Sequence, residues 1–449
     1  MQIKESGRIC FIRQTMASIL HIGIDDTDSK KGMCTTYIGA VVTDKLKEIG
    51  VKFIDFPKLI RLNPNIPWKT RGNCSVAIEI QASDEKISTV KDTVLKTVEE
   101  LAELHVETTN PGVVFYQGKK IPPNLKAFSK KVVQDVVTIE EAEILARKIG
   151  AEVRKFKLGR GIIGSLAAVG NTLERDRTYE LIAYRTLENR GTARKVDPAS
   201  VIEMDKKTFP NTFDNLDPST GEIRITPHTP CPILYGIRGE SPSVVEKAHK
   251  LVRAFEPIER VVVYKTNQGT DEHLRRAKIS EARPYWSVIV DGAVCQTPRV
   301  IPGGHVIFRI RDRTGEIDCA AYEPTRQFRE IVRKLIVGDK VRVYGGIKEK
   351  PELPLTINLE KLAMLKLAPL LRKENPKCQI CGKRMKSEGK DKGYSCKRCK
   401  VKAPAGSAKI VEVKREIDLG MFEVPPRCRR HLAKPLVREV QVKFPAHEF

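Results

Sequence analysis

One stretch near the amino terminus constrains the fold more than any other, because a short apolar segment, an acidic turn and an amphipathic segment follow one another directly. Residues 19–24 are apolar and largely β-branched, which predicts a buried strand. From Ile38 onwards apolar residues recur at helical spacing and stop at Gly50, so a helix is predicted whose first turn lies near Thr35. The unit predicts a layer of an α/β domain.

Three aspartates, Asp25, Asp26 and Asp28, follow the predicted strand at once. Carboxylates this close repel one another unless a cation lies among them, and oxygen ligands at a strand end suit Mg²⁺ that also carries phosphates. The helix start adds backbone N–H groups beside the hydroxyls of Thr35 and Thr36, a setting in which a phosphate binds or is accepted. One interpretation is metal-bound nucleotide, and the alternative is that these side chains only form turns and caps.

Two further segments and one turn carry candidate phosphate-binding residues. Loop 61–73 combines basic side chains with Trp68, which would stack on a base or fill the edge of the core. Residues 158–165 have G-x-G-x-x-G spacing, which alone is weak evidence for nucleotide and is equally explained by close helix packing. The turn at Asn110 either approaches the nucleotide or is a plain turn. The predicted phosphate-binding set is Thr36, Arg61, Lys69, Arg71, Asn110, Arg160, Gly161 and Gly164.

Length and charge indicate several domains and a polyanionic partner. A chain of 449 residues is too long for one core, so three or four domains are expected. Lys and Arg number 80 against 56 Asp and Glu, which gives a net charge of +24. A surplus of this size favours nucleic acid as the partner, although the surface of a thermophilic protein is also rich in lysine.

The middle of the chain predicts strands packed around helices. Residues 178–184, 232–237 and 260–264 have strand patterns, and Ser243 and Glu246 form a predicted capping box for the helix before the last strand. This arrangement suits a ferredoxin-like domain. Polar residues at its strand ends either face a cleft or only form turns. The cleft candidates are Arg238, Asn267, Gln268 and Asp271.

From Trp286 the pattern changes to short strands separated by Gly, Pro and charged turns. The predicted strands are 287–293, 305–311, 315–321 and 340–344, with a helix at 327–336 and a possible fifth strand at 356–359. This order is typical of an OB-fold barrel, which binds oligonucleotides on one face. Phe308, Arg309 and Arg311 are the stacking and phosphate-contact candidates, together with Trp68, while other aromatic side chains are expected in the barrel core.

Two C-x-x-C pairs, Cys378 with Cys381 and Cys396 with Cys399, predict a structural zinc site. Four thiolates at this spacing close a tetrahedral Zn²⁺ site of the ribbon type. Basic residues surround the pairs, and Lys383, Lys397 and Arg398 are candidates for contact with an RNA backbone. The other cysteines are scattered singly, so a reducing cytoplasm is expected, and no sequence segment approaches the length of a membrane-spanning helix.

The motifs resemble those of one family. The segment IGIDDTDSKKGMCTTY, which begins at Ile22, is similar to the opening signature of the archaeal tRNA-Ile 2-agmatinylcytidine synthetases. NPNIPWKTRGN, GRGIIGSLAAVG, PCPILYGIRG and TNQGTD resemble further segments of that family. The resemblance covers nearly the whole chain in domain order, except for the residues before Met16, which makes Met16 an alternative start.

The resemblance implies a function. In that family, an ATP-dependent kinase-like domain activates C2 of the wobble cytidine in a CAU anticodon, and agmatine displaces the activating phosphate. It further implies that Thr35 is phosphorylated by the protein itself and that Asp25, Asp26 and Asp28 are catalytic and bind Mg²⁺. The four cleft candidates become candidate agmatine contacts. The alternatives are a non-catalytic RNA-binding protein and an RNA phosphotransferase that uses another amine or none.

The expected fold is a multidomain α/β and α+β protein. We expect a kinase-like catalytic domain at 17–165, a ferredoxin-like domain at 166–278, an OB-fold domain at 284–366, a zinc ribbon at 374–404 and a basic carboxy-terminal segment at 405–449. That last segment is expected to pack near the ribbon, and its sequence assigns no site to it.

Overall fold

The computed structural model describes residues 17–350 and 353–443, so the residues before Met16 lie outside the described part. The first region is a sheet covered by helices on both faces. Its elements are β1 (Ala17–Asp25), α1 (Thr35–Ile49), β2 (Lys52–Phe53), β3 (Lys58–Arg61), β4 (Cys74–Ser83), α2 (Asp84–Leu101), β5 (Gly112–Gln117), α3 (Pro123–Gln134), α4 (Ile139–Ile149), β6 (Glu152–Lys155) and α5 (Ile162–Gly170). The predicted strand–turn–helix unit is therefore confirmed as β1 and α1.

Strand β1 is central and carries the core on both faces. It pairs antiparallel with β4 on one side and β5 on the other. Leu20, Ile22 and Ile24 pack against α1 and α2, because alternate residues of a strand point to the same face. Gly23 points to the other face, where a side chain would overlap the backbone oxygen of Ser165 in α5. Glycine at this position lets α5 lie directly on β1.

The glycine-rich segment serves the same close packing. A Cβ at Gly161 would overlap the backbone of Gly112 and Asp25, and one at Gly164 would overlap the Asp25 carboxylate. The close-packing alternative for residues 158–165 thus describes what these glycines do. They bring the start of α5 against the acidic end of β1. Helix α5 also crosses residue 165, where a domain boundary was expected.

The second region contains β7 (Thr178–Arg185), α6 (Pro198–Thr208), β8 (Thr212–Phe213), β9 (Leu216–Asp217), β10 (Glu222–Ile223), β11 (Ile233–Gly239), α7 (Pro242–His249) and β12 (Ile258–Thr266). The order β12-β7-β11-β8, with antiparallel pairing, confirms the ferredoxin-like expectation. Strand β12 also pairs parallel with β3. One continuous sheet therefore joins the first two regions.

The predicted cap of α7 is wrong by two residues. Ser241 caps the helix, because its side chain accepts a hydrogen bond from the Val244 N–H at 3.3 Å and Pro242 occupies the first turn. Serine followed by proline was an available signal, since proline favours the first helical position. The helix ends at His249, so Phe255 lies beyond it and is 69% exposed.

A buried ion pair holds the end of β7. Arg185 is fully buried and donates to Glu256 through Nε and Nη2, both at 2.7 Å. We expect Arg185→Met to lower the free energy of unfolding by about 3–5 kcal/mol, because it leaves an unpaired buried carboxylate. Hydrogen–deuterium exchange of β7 and the urea midpoint measure the effect. A double variant that also carries Glu256→Leu should recover most of the loss, and equal destabilisation of both variants would contradict this explanation.

The third region is a closed five-stranded barrel, as predicted. Its elements are β13 (Leu274–Arg276), β14 (Ser287–Ile301), β15 (His305–Arg311), β16 (Glu316–Ala321), α8 (Gln327–Arg333), β17 (Lys340–Lys350) and β18 (Leu353–Lys366). The order β14-β15-β16-β18-β17, closed by pairing of β17 with β14, is the OB-fold order. Strand β13 adds to its outside, parallel to β14.

The remaining elements are β19 (Leu370–Glu374), β20 (Lys386–Ser387), β21 (Tyr394–Ser395), β22 (Lys402–Ala403), β23 (Lys409–Val413), β24 (Gly420–Glu423) and α9 (Leu436–Lys443). Strands β20 to β22 form the small ribbon sheet, and β19 pairs with β23 to connect it to the barrel. The chain then leaves the ribbon, because β24 pairs with β18 of the barrel. The expectation that residues 405–449 pack near the ribbon is therefore wrong for residues 420–423, which pair with the barrel, and residues 444–449 lie outside the described part of the chain.

Candidate active site

A cavity of about 570 Å³ lies where the end of β1 faces β7 and β11. Its wall also includes the starts of α1 and α5 and the loop between β3 and β4. The tertiary structure thus brings together segments that are far apart in sequence. The sequence-predicted residues that line the cavity are Asp25, Asp26, Asp28, Thr35, Thr36, Arg61, Trp68, Lys69, Arg71, Arg160, Gly161, Gly164 and Arg238.

The charged forms of two carboxyl groups at the end of β1, those of Asp25 and Asp26, are disfavoured, so their pKa values are raised. Burial, with a further contribution from Asp26, raises the pKa of Asp25 well above its ordinary value. Burial also raises the pKa of Asp26 to about 7, although the Asn110 N–H donates to its carboxylate at 3.2 Å. Carboxyl groups in this condition are stabilised most by a cation placed beside them.

The third aspartate has a different partner. The Asp28 carboxylate forms an ion pair with Arg71, whose other Nη donates to the Ser29 carbonyl at 3.1 Å. Burial raises the pKa of Asp28, and the charge of Arg71 partly offsets this rise. Arg71 therefore fixes the acidic turn to loop 61–73, and Asp28 is less available to a metal than its two neighbours.

The hydroxyl of Thr35 lies at the first residue of α1 and is 3% exposed. The Thr27 hydroxyl donates to it at 3.1 Å, which leaves the hydrogen of Thr35 free to be given to another group. The Thr36 hydroxyl lies 3.1 Å from the Cys34 sulfur. Both threonines line the cavity beside the free N–H groups of the helix start, where a phosphate is favoured.

Cations dominate the rest of the wall. Burial, together with the positive charges of Arg430 and Lys348, lowers the pKa of Lys69 to about 8. The guanidinium of Arg160 lies 5.4 Å from the centre of the Trp68 ring, which is 54% exposed. Such a wall suits an anionic ligand, and the exposed indole beside it suits a base. The cationic residues that line the cavity are Arg61, Lys69, Arg71, Arg160, Arg224, Arg238 and Arg429.

The four cysteines of the C-x-x-C pairs form a second centre, separate from the lining of this cavity. The Sγ atoms of the four residues all lie within 4.8 Å of one another; the residues are Cys378, Cys381, Cys396 and Cys399. The backbone N–H of Cys399 contributes most to lowering the pKa of the Cys396 thiol to about 6, whereas the Cys381 side chain contributes most to raising the pKa of the Cys399 thiol to about 12. Of these two thiols, Cys396 is therefore the one that more readily forms the thiolate that zinc requires. Over residues 17–350 and 353–443, no other set of three or more potential ligands meets this closely, and Asp25, Asp26 and Asp28 do not.

Family models match the chain in order. They are described as the TiaS TCKD domain at residues 21–159, the TiaS FLD domain at 159–273, an OB-fold nucleic acid binding domain at 288–365 and the TiaS C-terminal zinc ribbon domain at 375–417. The tRNA 2-agmatinylcytidine synthetase TiaS of Methanocaldococcus jannaschii is 47% identical over 425 residues, which cover 93% of this chain and 98% of that protein. This chain belongs to the TiaS family of tRNA 2-agmatinylcytidine synthetases.

Solved structures extend this similarity to three dimensions. The crystal structure of TiaS in complex with an isoleucine tRNA and ATP matches with a TM-score of 0.85 and 43% identity, covering 94% of this chain and 97% of that one. The complex of TiaS with an isoleucine tRNA, AMPCPP and agmatine matches with a TM-score of 0.82 and 41% identity over the same shares. The whole synthetase fold is therefore present here.

Three predicted agmatine contacts of this synthetase-family chain are structural. Asn267 is fully buried and bonds both backbone groups of Arg61, accepting from its N–H at 2.8 Å and donating to its carbonyl at 3.0 Å. Gln268, also buried, donates to Glu180, and Asp271 pairs with Lys361 of the barrel. None of the three lines the cavity. Arg238 does, but its positive charge suits an anion and repels cationic agmatine.

Two other predictions also need correction. Asn110 acts through its backbone, since its N–H holds Asp26, and it does not line the cavity. Phe308 is 1% exposed in the barrel core, so it has no face free for stacking. Arg309 pairs with Asp318 and Arg311 pairs with Glu316 on the opposite face of β15. The alternation of apolar and basic residues in β15 was a signal that would have placed Phe308 inside.

The ribbon candidates keep their predicted setting. Lys383, Lys397 and Arg398 are exposed around the cysteine cluster. No motif indicated, however, that residues 426–431 reach the cavity. Pro426, Arg429 and His431 line it, and Arg429 forms an ion pair with Asp214. A run of basic residues far from any motif offers no signal for such a contact.

No helix in the described part of the chain is long and apolar enough to span a membrane.

Proposed function

We propose that this chain uses ATP to activate C2 of the wobble cytidine in the CAU anticodon of tRNA(Ile) and joins agmatine to it, forming 2-agmatinylcytidine. One observation carries the proposal. Destabilised carboxyl groups at Asp25 and Asp26, the helix start at Thr35 and a wall of arginines share one cavity. A passive RNA-binding surface has no need to bury unpaired carboxyl groups.

The chemistry explains the need for both nucleotide and cavity. The C2 oxygen of cytosine is a poor leaving group, and its phosphorylation makes it leave when the primary amine of agmatine attacks C2. The phosphoryl group is transferred from ATP to the C2 oxygen. The C–N bond then forms as the C–O bond breaks, phosphate carries away the oxygen, and the amine nitrogen gives one proton to the departing phosphate. The arginine wall would stabilise charge on the phosphoryl group, and Trp68 would stack on the cytidine once it has left the base stack.

The carboxyl groups of the cavity fit a Mg²⁺ site that has few protein ligands. Mg²⁺ is commonly held by one or two carboxylates, with waters and substrate phosphates completing its shell. Asp25 and Asp26 would hold it, whereas Asp28 is engaged by Arg71. When bound with ATP, the ion would neutralise phosphate charge. The proposal therefore reduces the expected three metal ligands to two.

We assign the nucleotide chemistry to residues 17–170, moving the expected boundary at 165 because α5 packs on β1. Residues 171–278 would complete the cavity. The barrel at 284–366 and the ribbon at 374–404 would bind the tRNA, supported by the net charge of +24 and by exposed ribbon lysines. Zn²⁺ would be structural there, since four thiolates leave no open position. A tRNA substrate supports a cytoplasmic location.

Product analysis tests the function. We expect purified protein given CAU-anticodon tRNA, ATP, Mg²⁺ and agmatine to convert the wobble cytidine to a nucleoside heavier by the agmatine addition, detected by mass spectrometry after digestion. Omitting ATP or agmatine should abolish the product. Binding of tRNA without nucleotide turnover would support the non-catalytic alternative, and turnover without amine addition would support an RNA phosphotransferase.

Phosphate from labelled ATP should appear on Thr35. Its hydroxyl lies in the cavity at the start of α1 with a hydrogen free to be lost. We expect Thr35→Ala to lose the label and Thr35→Ser to keep it, as read by peptide mass spectrometry. Thr43→Ala, which removes a buried hydroxyl of the same helix that donates to the Gly39 carbonyl at 2.8 Å, is the control. Full labelling of Thr35→Ala would place the acceptor elsewhere.

Binding of Mg²⁺ with ATP at pH 7 should release protons. The pKa of Asp26 is about 7, so this group is about half protonated at pH 7, and a cation bound beside it would displace that proton. Burial also raises the pKa of Asp25 well above its ordinary value. Calorimetry in two buffers of different ionisation enthalpy measures the release. It should shrink as the pH rises well above 7 and should fall in Asp26→Asn. Equal proton counts at pH 7 and pH 9 would contradict a cation at these carboxyl groups.

A further inference from the structure

The carboxy-terminal strap, defined here as residues 424–439, crosses from the barrel to the cavity. Its backbone pairs with the segment after β12, since the carbonyls of His431 and Leu432 accept from the N–H groups of Gly269 and Asp271, both at 2.8 Å. Buried Leu432 fixes this pairing. The position of His431 is therefore set by backbone contacts of the strap.

The side chain of His431 touches the cationic wall. Its Nδ1 lies 2.8 Å from Nη2 of Arg238. A guanidinium is only a donor, so Nδ1 must be the acceptor and the ring proton must lie on Nε2. Burial and the positive charges of Arg61, Arg238 and Lys69 lower the pKa of His431 well below its ordinary value, which agrees with a neutral ring.

Arg238 depends on this contact for its orientation. Its Nε lies 3.5 Å from Glu180 and its Nη1 3.9 Å from Asp214, both too long to fix the guanidinium alone. The bond to His431 is the short one. In addition, Nε of Arg238 and Nε of Arg61 are buried without a hydrogen-bond partner among the described residues. Donors left unpaired in a cavity wall point to an anionic ligand.

The second nitrogen of His431 is also in the cavity wall. Nε2 would lie 3.2 Å from a Cβ placed on Gly72, which lines the cavity too. A side chain at position 72 would therefore crowd the imidazole. Glycine leaves space for the ring, and because Nη1 of Arg61 is also close to this Cβ position, Nε2 of His431 and Arg61 share this part of the wall.

We propose that His431 is a positioning residue for the reaction, which holds Arg238 through Nδ1 so that Arg238, Arg61 and the Nε2–H of His431 together receive a phosphate group of a substrate. The inference rests on the proposed function, because it takes the ligand of the cavity to carry phosphate. Either the nucleotide or the RNA backbone supplies such a group, and the chemistry of recognition is the same for both.

Three variants separate the two nitrogens. His431→Ala removes both contacts, His431→Asn keeps an acceptor near the Nδ1 position for Arg238, and His431→Gln keeps a donor near the Nε2 position. His249→Ala is the matched control, because Nδ1 of His249 also makes a 2.8 Å bond, to Tyr235, away from the cavity. Thermal melting of each variant identifies any that fail to fold.

We expect His431→Ala to raise KM for one substrate at least about tenfold, with His431→Asn recovering most of that loss and His249→Ala behaving as wild type. A raised KM for ATP, matched by weaker binding of AMPCPP in calorimetry, assigns the phosphate to the nucleotide. A raised KM for tRNA with unchanged KM for ATP assigns it to the RNA.

Unchanged constants in a folded His431→Ala protein would overturn the proposal, as would an Asn variant no better than Ala. The wild-type protein is measured alongside. If it makes no 2-agmatinylcytidine, the proposed function fails, whereas product from wild type with unaltered His431→Ala kinetics removes only the positioning role. The binding of AMPCPP is read independently of turnover.

Discussion

Asp26→Asn should lower product formation about a hundred- to a thousand-fold while leaving tRNA affinity nearly unchanged. The substitution keeps the shape of the side chain and the contact with the Asn110 N–H, so the turn after β1 should persist. It removes the negative charge that would face the metal and the phosphates. Affinity for tRNA should survive because we propose that the barrel and the ribbon supply most of it. Steady-state kinetics and filter binding measure the two quantities.

The matched control for this variant is Asp92→Asn, which removes an exposed carboxylate on α2. It makes the same replacement of a carboxyl by an amide, but at the surface, so any loss common to both variants reports general electrostatics. Activity of Asp26→Asn close to wild type would dismiss the metal role. A parallel collapse of tRNA binding would instead mean that the carboxylate supports the RNA site.

Removal of zinc should unfold the ribbon and weaken tRNA binding at least about tenfold. Zinc contributes about 10–16 kcal/mol to the folding of small zinc modules, and the ribbon core otherwise consists of few side chains, among them Met385 and Tyr394. Without the fold, the exposed basic residues around it lose their common orientation. We expect the Cys396→Ser variant, or protein treated with a strong chelator, to show this loss in filter binding.

Nucleotide binding provides the internal comparison for the zinc experiment. The residues that line the cavity lie outside the ribbon, so ATP affinity measured by calorimetry should stay within about twofold of wild type. Cys295→Ser, a partly buried thiol of the barrel, controls for loss of a cysteine. Retention of full tRNA affinity by zinc-free protein would show that the ribbon does not contact the tRNA.

Several parts of the fold were predictable because contiguous residues encode them. The apolar run of β1, the helical spacing in α1 and the paired cysteines each lie within a short stretch, and each was confirmed. The barrel followed from five strand patterns with a helix in the right place. Local errors had local causes. Ser241 and Ser243 were both available as the N-cap of α7, and Ser241, which precedes Pro242, is the residue that caps the helix.

Roles at the site were harder to predict than its location. Asn267 was predicted to face the cleft because it is a polar residue at a strand end. Its side chain instead forms hydrogen bonds with the backbone of Arg61 on the neighbouring strand. Asp271 is likewise paired with Lys361 of the barrel. A polar side chain at a strand end can bind a ligand only if another segment of the chain does not already form its hydrogen bonds. Here the segments that form them are distant in sequence, so local patterns do not reveal them.

Spacing within continuous stretches of the chain was sufficient to establish the acidic turn between β1 and α1, the cysteine cluster, the barrel and the resemblance to the synthetase family. It could not show which cations face the aspartates, which carboxylate Arg71 takes, or that His431 reaches Arg238. Only the tertiary structure determines those contacts. Burial and pairing set the charge and orientation of these groups, and both depend on packing between segments that meet only when the chain folds.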